Sequence, residues 1–201
     1  FAVNGFMASQ RLAKNEVFPL TLTASLTRPL TDDEFNSIGQ PDQWGILSAQ
    51  AMGATVRLTK DRRIMIRNTA EVWRQMSMSP TDLEQRKLTH IDGLLKRFPN
   101  LPASAIEYTW SGITCISQNN ANIFNRIDDN VFAAGCYNGG GIGLGILYGQ
   151  EMATYASGGT NDLIEMIQNR PKPKRLPPQP FLNWGIAMKL AKDRYFAQKE
   201  S

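Results

Sequence analysis

Residues 133–150, AAGCYNGGGIGLGILYGQ, pass from a short apolar strand pattern through a glycine cluster into a helical pattern, with glycine at 135, 139, 140, 141, 143, 145 and 149. Glycine costs a helix roughly 1 kcal/mol relative to alanine. A segment this poor in side chains implies a close approach to its backbone, made either by a packed neighbouring element or by a phosphate or flat cofactor. A strand, a glycine turn and a helix also aim free amides and a positive helix end at an anion or a carbonyl oxygen. The spacing is not that of a pyrophosphate loop, because Ile146 stands where the last glycine of GxGxxG would follow Gly141 and Gly143. No Lys-Ser/Thr follows either, which excludes a P-loop.

Working outward, the 201 residues are 42% hydrophobic and 20% charged, enough for one or two globular domains with a real core. No apolar run approaches the roughly 18 residues of a membrane span. The opening FAVNGFMASQ lacks the basic start and cleavage pattern of a signal peptide, and the absence of an initial Met suggests a chain that begins inside a longer gene product. With Cys115 and Cys136 the only cysteines and His90 the only histidine, a zinc site or disulfide framework is not expected, and a reducing, cytoplasmic setting is. The net charge of +4 is uneven: residues 170–201 hold 8 Lys/Arg against 2 Asp/Glu, and the rest holds 14 against 16. The surplus sits in the tail, so the body does not read as a nucleic-acid binder.

VFPLTLTASLT, residues 17–27, alternates with period two and predicts a half-buried strand, with Leu20, Leu22, Ala24 and Leu26 set against Thr21, Thr23, Ser25 and Thr27. ATVRLTKDRRIMIRN predicts a hairpin turning near Lys60 and Asp61. Val56, Leu58, Ile64 and Ile66 would share its core face, and Arg57, Arg63 and Arg67 the other. That arginine face is either solvated or the anion-facing wall of a substrate or cofactor cavity. Ser79, Pro80 and Asp82 predict a capped helix start, with Leu83, Leu88, Ile91, Leu95 and Phe98 packing on the sheet and His90 at the surface or boundary beside them. IEYTWSG resumes strand alternation, SQNNANIFNRIDDN reads as a polar stretch, and VFAAGC as the strand before the glycine loop. After a short helix, NDLIEMIQN, and the extended connector RPKPKRLPPQP, a final helix places Phe181, Trp184, Met188, Ala191 and Tyr195 on one face. That face is expected to pack back on its own domain, the alternatives being a membrane or a partner protein.

The order Trp110-Ser111-Gly112, the polar step Ser117-Gln118-Asn119, NVFAAG and a glycine loop from Gly135 to Gly143 resembles the C-terminal half of flavin-dependent oxidoreductases of the D-amino acid oxidase type. The gamma-glutamylputrescine oxidoreductase-like members look most similar. FAVNGFMASQ looks like the last strand of their flavin domain, FPLTLTASLTRPL like the first strand of their substrate domain, and GATVRLTKDRRIMIRN like its central hairpin. The resemblance implies an α+β fold, with an antiparallel-sheet substrate-binding domain and the returning strand and helix of an FAD-binding α/β domain. The implied divisions are 1–14 for the end of the FAD-binding domain, 15–108 for the substrate-binding domain, 109–168 for the returning segment, and 169–201 for the linker and final helix.

The resemblance further implies FAD as cofactor, a small-molecule amine or amino acid as substrate, and oxidation of a C–N bond by hydride transfer. Cofactor contacts fall on Gly112, Ile113, Cys136, Tyr137, Asn138, Gly139, Gly140, Gly141, Ile142 and Gly143, with backbone amides against the pyrimidine edge of the flavin. The dinucleotide-binding GxGxxG is absent, so a partner N-terminal FAD-binding half is expected and this chain alone would be inactive. Where amino-acid oxidisers carry an arginine after Trp-x-Gly, this chain has Ile113, Thr114 and Cys115, which shifts the expected substrate toward an amine, or one whose anion meets Arg57, Arg63 or Arg67 beside Trp110. Cys115 is a candidate for covalent flavin attachment, against ordinary burial of a free cysteine. No catalytic base and no metal site is assigned. The competing reading is a non-enzymatic interaction module whose glycines serve packing.

Overall fold

The computed structural model describes every residue except 8, 9, 11, 14, 51, 73–76 and 198–201, so parts of the expected opening strand and the last residues of the expected final helix lie outside the described residues. The chain divides into two compact units, one of Phe1–Leu20 with Ile113–Trp184, the other of Thr21–Gly112 with Gly185–Ser201.

The second unit is built on a five-stranded sheet of order β2-β3-β4-β1-β5, formed by β1 (Val17–Thr27), β2 (Trp44–Leu47), β3 (Thr55–Leu58), β4 (Ile64–Glu71) and β5 (Ile106–Ser117). The hairpin of β3 and β4 pairs antiparallel, Val56 opposite Ile66 and Leu58 opposite Ile64, and those four side chains are buried as their alternation predicts. Helix α2 (Pro80–Arg97) covers them and starts on the expected capping box, Ser79 Oγ accepting from the Asp82 amide at 3.2 Å. A second capping box, Thr31 with Glu34, starts the short helix α1 (Asp32–Ser37).

Three expectations fail here, and one cause links them. In β1 the hydroxyl face is the buried one, with Thr21, Thr23, Ser25 and Thr27 sealed while Leu22, Ala24 and Leu26 are half-buried. His90 is fully buried, and the buried line of α2 runs through His90, Gly93 and Leu94, leaving Leu88 exposed. The polar groups satisfy one another. Ser25 Oγ lies 2.7 Å from His90 Nδ1 and 2.7 Å from Thr109 Oγ1, Thr69 Oγ1 lies 3.3 Å from His90 Nε2, and Thr27 Oγ1 accepts from the Ile64 amide at 2.9 Å. A buried hydroxyl with partners costs little, whereas an unpaired one costs 1–3 kcal/mol or more, so period-two alternation cannot by itself say which face turns inward. A register shift in the pairing of β1 with β4 gives four residues of β4 (Ile66–Thr69) for three of β1 (Thr23–Ser25), and it turns Thr69 to the His90 side.

In the first unit, β6 (Ile123–Asp128) and β7 (Val131–Gly135) form an antiparallel ladder, Phe124 opposite Ala134. Strand β6 lies within the stretch read as polar. The opening residues run beside β7, where the Ala134 amide donates to the Phe1 carbonyl at 3.0 Å, then close a 3-10 turn at Asn4–Phe6. Helix α3 (Gly141–Ala156) and the short α4 (Asp162–Gln168) pack through Tyr148, Ile164 and Ile167 around Phe124. Gly135 is a packing glycine: a Cβ there would lie 2.6 Å from Met7 Sδ and 3.5 Å from Asn4 Cα. Gly135→Ala is therefore expected to destabilise the protein by about 1–3 kcal/mol in urea titrations, the usual cost of overpacking.

The final helix α5 (Phe181–Ala197) forms, but with its faces reversed from expectation. Leu182, Ile186, Leu190 and Ala197 are its less exposed positions, and Phe181, Trp184, Met188 and Tyr195 lie open. The helix is apolar on both sides, so spacing alone selects no inward face. Among the described residues no helix is long and apolar enough to cross a membrane.

Candidate active site

The glycine loop of the first unit is held from one side by its own polar groups. Cys136 and Asn138 adopt left-handed backbone conformations at φ 55° and 51°, and Gly139 follows at 93°. Three carbonyl or amide contacts fix the turn: the Cys136 amide donates to Asn4 Oδ1 (3.1 Å), the Asn138 amide to the Cys115 carbonyl (3.2 Å), and Asn122 Nδ2 to the Cys136 carbonyl (2.8 Å). The Asn138 side chain accepts from the Ser117 amide at 2.9 Å and donates to the Ala121 carbonyl at 3.2 Å, both within the first unit. A left-handed backbone suits asparagine, whose short polar side chain bonds locally. Asn138 thus serves the loop's shape. The Tyr137 ring packs edge-on against Tyr148 with centroids 5.8 Å apart, and burial raises its hydroxyl pKa.

The opposite side of the loop is bare. Residues Gly139 to Gly143 are exposed, no side chain caps α3 at Gly140, and the amides of Gly141, Ile142 and Gly143 show no acceptor among the described residues. A Cβ at Gly139 or Gly143 would meet nothing within 4 Å, and one at Gly141 only Tyr137 Cδ2 at 4.0 Å. The positive φ accounts for Gly139, but neither conformation nor packing within the described chain explains Gly141 and Gly143, in contrast to Gly135. Ile142 between them is 88% exposed, a large apolar side chain beside free donors. This surface offers what a flat, partly anionic ring needs, namely main-chain donors at a helix N-terminus with no Cβ in the way and apolar surface alongside. A separate cavity of the same unit, about 240 Å³, is lined by Asn119, Asn122, Tyr148, Arg170 and Lys172 and contains none of the loop glycines.

Cys115 and Cys136 come together in the core of this unit, 1% and 0% exposed. The hydrogen bond with Cys136, and then burial, push the Cys115 thiol well above its ordinary range. A buried, protonated thiol is a poor nucleophile. Ile113 is half-buried, its Cγ2 lying 2.8 Å from where a Cβ on Gly5 would stand.

In the second unit, Gly112 is exposed with open space around it. The arginines that share one strand face have different surroundings. Arg63 is neutralised, its Nη1 donating to Glu107 Oε2 at 2.6 Å and its Nε to Asp61 Oδ2 at 3.1 Å. Arg57 is exposed, and no ion pair joins it among the described residues. Arg67 is half-buried, its Nη2 and Nε donating to Thr55 Oγ1 at 2.7 and 3.2 Å, and desolvation lowers its pKa. Thr55, opposite Arg67 in the ladder, went unnoticed in the sequence, although the hairpin register was enough to find it. On β5 the rings of Tyr108 and Trp110 lie open, with Arg63 5.9 Å above the Tyr108 ring.

The fold matches solved oxidases and a dehydrogenase at low identity. Glycine oxidase from Geobacillus kaustophilus matches with TM-score 0.60 and 14% identity, over 79% of this chain and 41% of its own. L-proline dehydrogenase from P. horikoshii matches with TM-score 0.57 and 17% identity over 80% and 42%. Iminodiacetate oxidase from Chelativorans sp. matches with TM-score 0.60 and 14% identity over 79% and 42%. The chain thus spans less than half the length of each structure. No curated protein matches it. The antiparallel sheet with flanking helices, the glycine loop opening α3, and a match to the model described as FAD dependent oxidoreductase over residues 2–155 together place the chain: it belongs to the FAD dependent oxidoreductase (DAO) family.

Proposed function

We propose that this chain is the C-terminal part of an enzyme that oxidises the C–N bond of an amine or amino acid, with FAD as hydride acceptor. The first unit is read as the returning segment of the FAD-binding domain and the second as the substrate-binding domain. The observation that carries the reading is the set of amides at Gly141, Ile142 and Gly143 without an acceptor among the described residues, two of them on glycines that no internal packing explains.

When bound, flavin supplies the two-electron acceptor for such a reaction. The residues present here have other tasks. The amides at the start of α3 and that helix's positive end stabilise negative charge on the ligand edge they face, and Ile142 excludes water beside them. Asn138, Asn122 and Asn4 keep the amides aimed by fixing the loop's left-handed turn. Tyr108 and Trp110 provide apolar walls in the second unit, and its free arginines orient a substrate anion, so positioning supplies much of the rate. The flavin is read as non-covalent at Cys115, a reading that the 1% exposure of this residue supports. Similar structures carry names for the oxidation of glycine, L-proline and iminodiacetate, which supports an amino compound as substrate. The gamma-glutamylputrescine-type specificity suggested by the sequence remains one member of that class.

An absorbance spectrum of the full-length gene product, before and after denaturation, tests the reading. The expected result is a yellow protein that releases all its flavin on unfolding. A colourless full-length protein that takes up no added flavin contradicts it and favours the interaction-module reading, for which the open aromatic stripe of α5 is the supporting observation.

A further inference from the structure

The β3–β4 hairpin carries positive charge that the described chain leaves without a counter-charge. Arg28, Arg62, Arg63, Arg86 and Arg126 each have a carboxylate oxygen within 3.1 Å. Among the described residues no ion pair joins Arg57 or Arg67. In the ladder Thr55 stands opposite Arg67, and Arg57 opposite Met65, so the two arginines are diagonal neighbours on the face turned away from Val56, Leu58, Ile64 and Ile66. Diagonal positions lie roughly 7–8 Å apart, within mutual reach of long side chains, and like charges so placed repel. Arg67 is also the less free of the two. Thr55 Oγ1 receives both its Nε and Nη2, which fixes the guanidinium plane and leaves Nη1 as an unused donor.

A half-buried guanidinium without a counter-ion, beside a second unpaired one, is destabilising unless an anion joins them. Arg63, on the same face, is by contrast paired with both Asp61 and Glu107. A single carboxylate would offset one of the two free charges, and two would offset both.

We infer that Arg67 and Arg57 form an anion subsite, with Thr55 as its positioning residue, and that the preferred substrate is an amine carrying two carboxylates. The inference rests on the second unit's being the substrate domain. It places the anion on the β3–β4 hairpin rather than on Ile113, Thr114 or Cys115 after Gly112, where the chain has no cation.

The test uses the full-length protein and two non-oxidisable probes, succinate and acetate, each titrated by thermal shift and by perturbation of the flavin absorbance. Succinate is expected to bind at least tenfold more tightly than acetate, and Arg67→Met and Arg57→Met each to weaken succinate by about tenfold or more, the scale of a lost charge-assisted contact. Arg63→Met is expected to change succinate affinity by less than about twofold, since its charge is already matched. If Arg67→Met does not fold, Thr55→Val serves instead: it keeps the charge, frees the guanidinium and should weaken succinate severalfold. For an oxidisable pair, the preference for iminodiacetate over glycine in kcat/KM should fall by a similar factor in Arg67→Met, with flavin content unchanged. Equal affinity for succinate and acetate, or an unchanged succinate affinity in the arginine variants, overturns the subsite. A protein without flavin overturns the preceding functional reading instead, and the thermal shift with succinate still decides this one.

Discussion

Gly143→Val in the full-length protein is expected to yield a folded enzyme of unchanged or slightly raised thermal stability whose dissociation constant for flavin is raised about tenfold to a hundredfold. The two halves of this result come from the same geometry. Gly143 lies in the first turn of α3 without a positive φ, and a Cβ there would meet nothing within 4 Å beyond its own helix backbone, so the chain leaves open space for a side chain at this exposed position. Replacing glycine in a helix by a residue of better propensity contributes up to about 1 kcal/mol. The ligand does not accommodate it: a side chain between the amides and a flat ring forces a shift of roughly the size that costs 1–3 kcal/mol in packed cores, which is about tenfold to a hundredfold in affinity. Gly149→Ala, in the same helix and equally open to a Cβ, serves as the control. It should raise stability by about 0.5–1 kcal/mol and leave the flavin in place. Loss of flavin in both variants would mean that the helix as a whole, and not its first turn, matters.

The second large effect is a loss of stability in mild acid centred on His90. The ring is enclosed by Ser25, Thr23 and Thr69, hydroxyls that satisfy it as a neutral imidazole, and burial lowers its pKa from 6.5 to about 4. The group is depressed in the folded state, so between those values the unfolded chain binds the extra proton. Stability is therefore complete above pH 6.5 and falls as the pH drops toward 4. At pH 4.5 the loss amounts to roughly 2–3 kcal/mol. Glu34, drawn down to about 2 first by its hydrogen bond from Arg28, loses its contribution only below its ordinary value of 4.5, so it does not share the window. Urea titrations at pH 7 and pH 4.5 measure the difference. In His90→Gln the difference should largely vanish, and a wild-type protein equally stable at both pH values would contradict the burial of a neutral ring.

Much of this architecture is legible in the sequence where local chemistry has a single outcome. Ser79-Pro80-x-Asp82 can hardly be anything but a helix start, the β3–β4 hairpin follows from two apolar runs in phase across a polar turn, and the step from VFAAG through glycines to α3 is observed as expected. The misses share a different origin. Alternation in β1 reveals two faces but not which one is inside, and the answer lay 65 residues away in His90. Strand β6 is concealed by Asn125, Arg126 and Asp128, because its stability comes from pairing with β7 rather than from its own composition. Helix α5 is apolar on both sides, so its spacing points to no face. At the candidate site, the free amides could be anticipated from the glycines. The division of the three arginines into one neutralised and two unpaired could not, since it depends on where Glu107 and Thr55 fall in the folded sheet.

The central claim is that the main chain from Gly139 to Gly143 faces bound flavin. Amide hydrogen exchange on the full-length protein, with flavin and after its removal, tests it most directly, read on peptides covering residues 137–146. The account predicts that these amides exchange fast without flavin and become strongly protected when it is bound, while peptides covering residues 80–97 are unchanged. Equal exchange at 139–143 in the two states, with protection arising elsewhere, would contradict it.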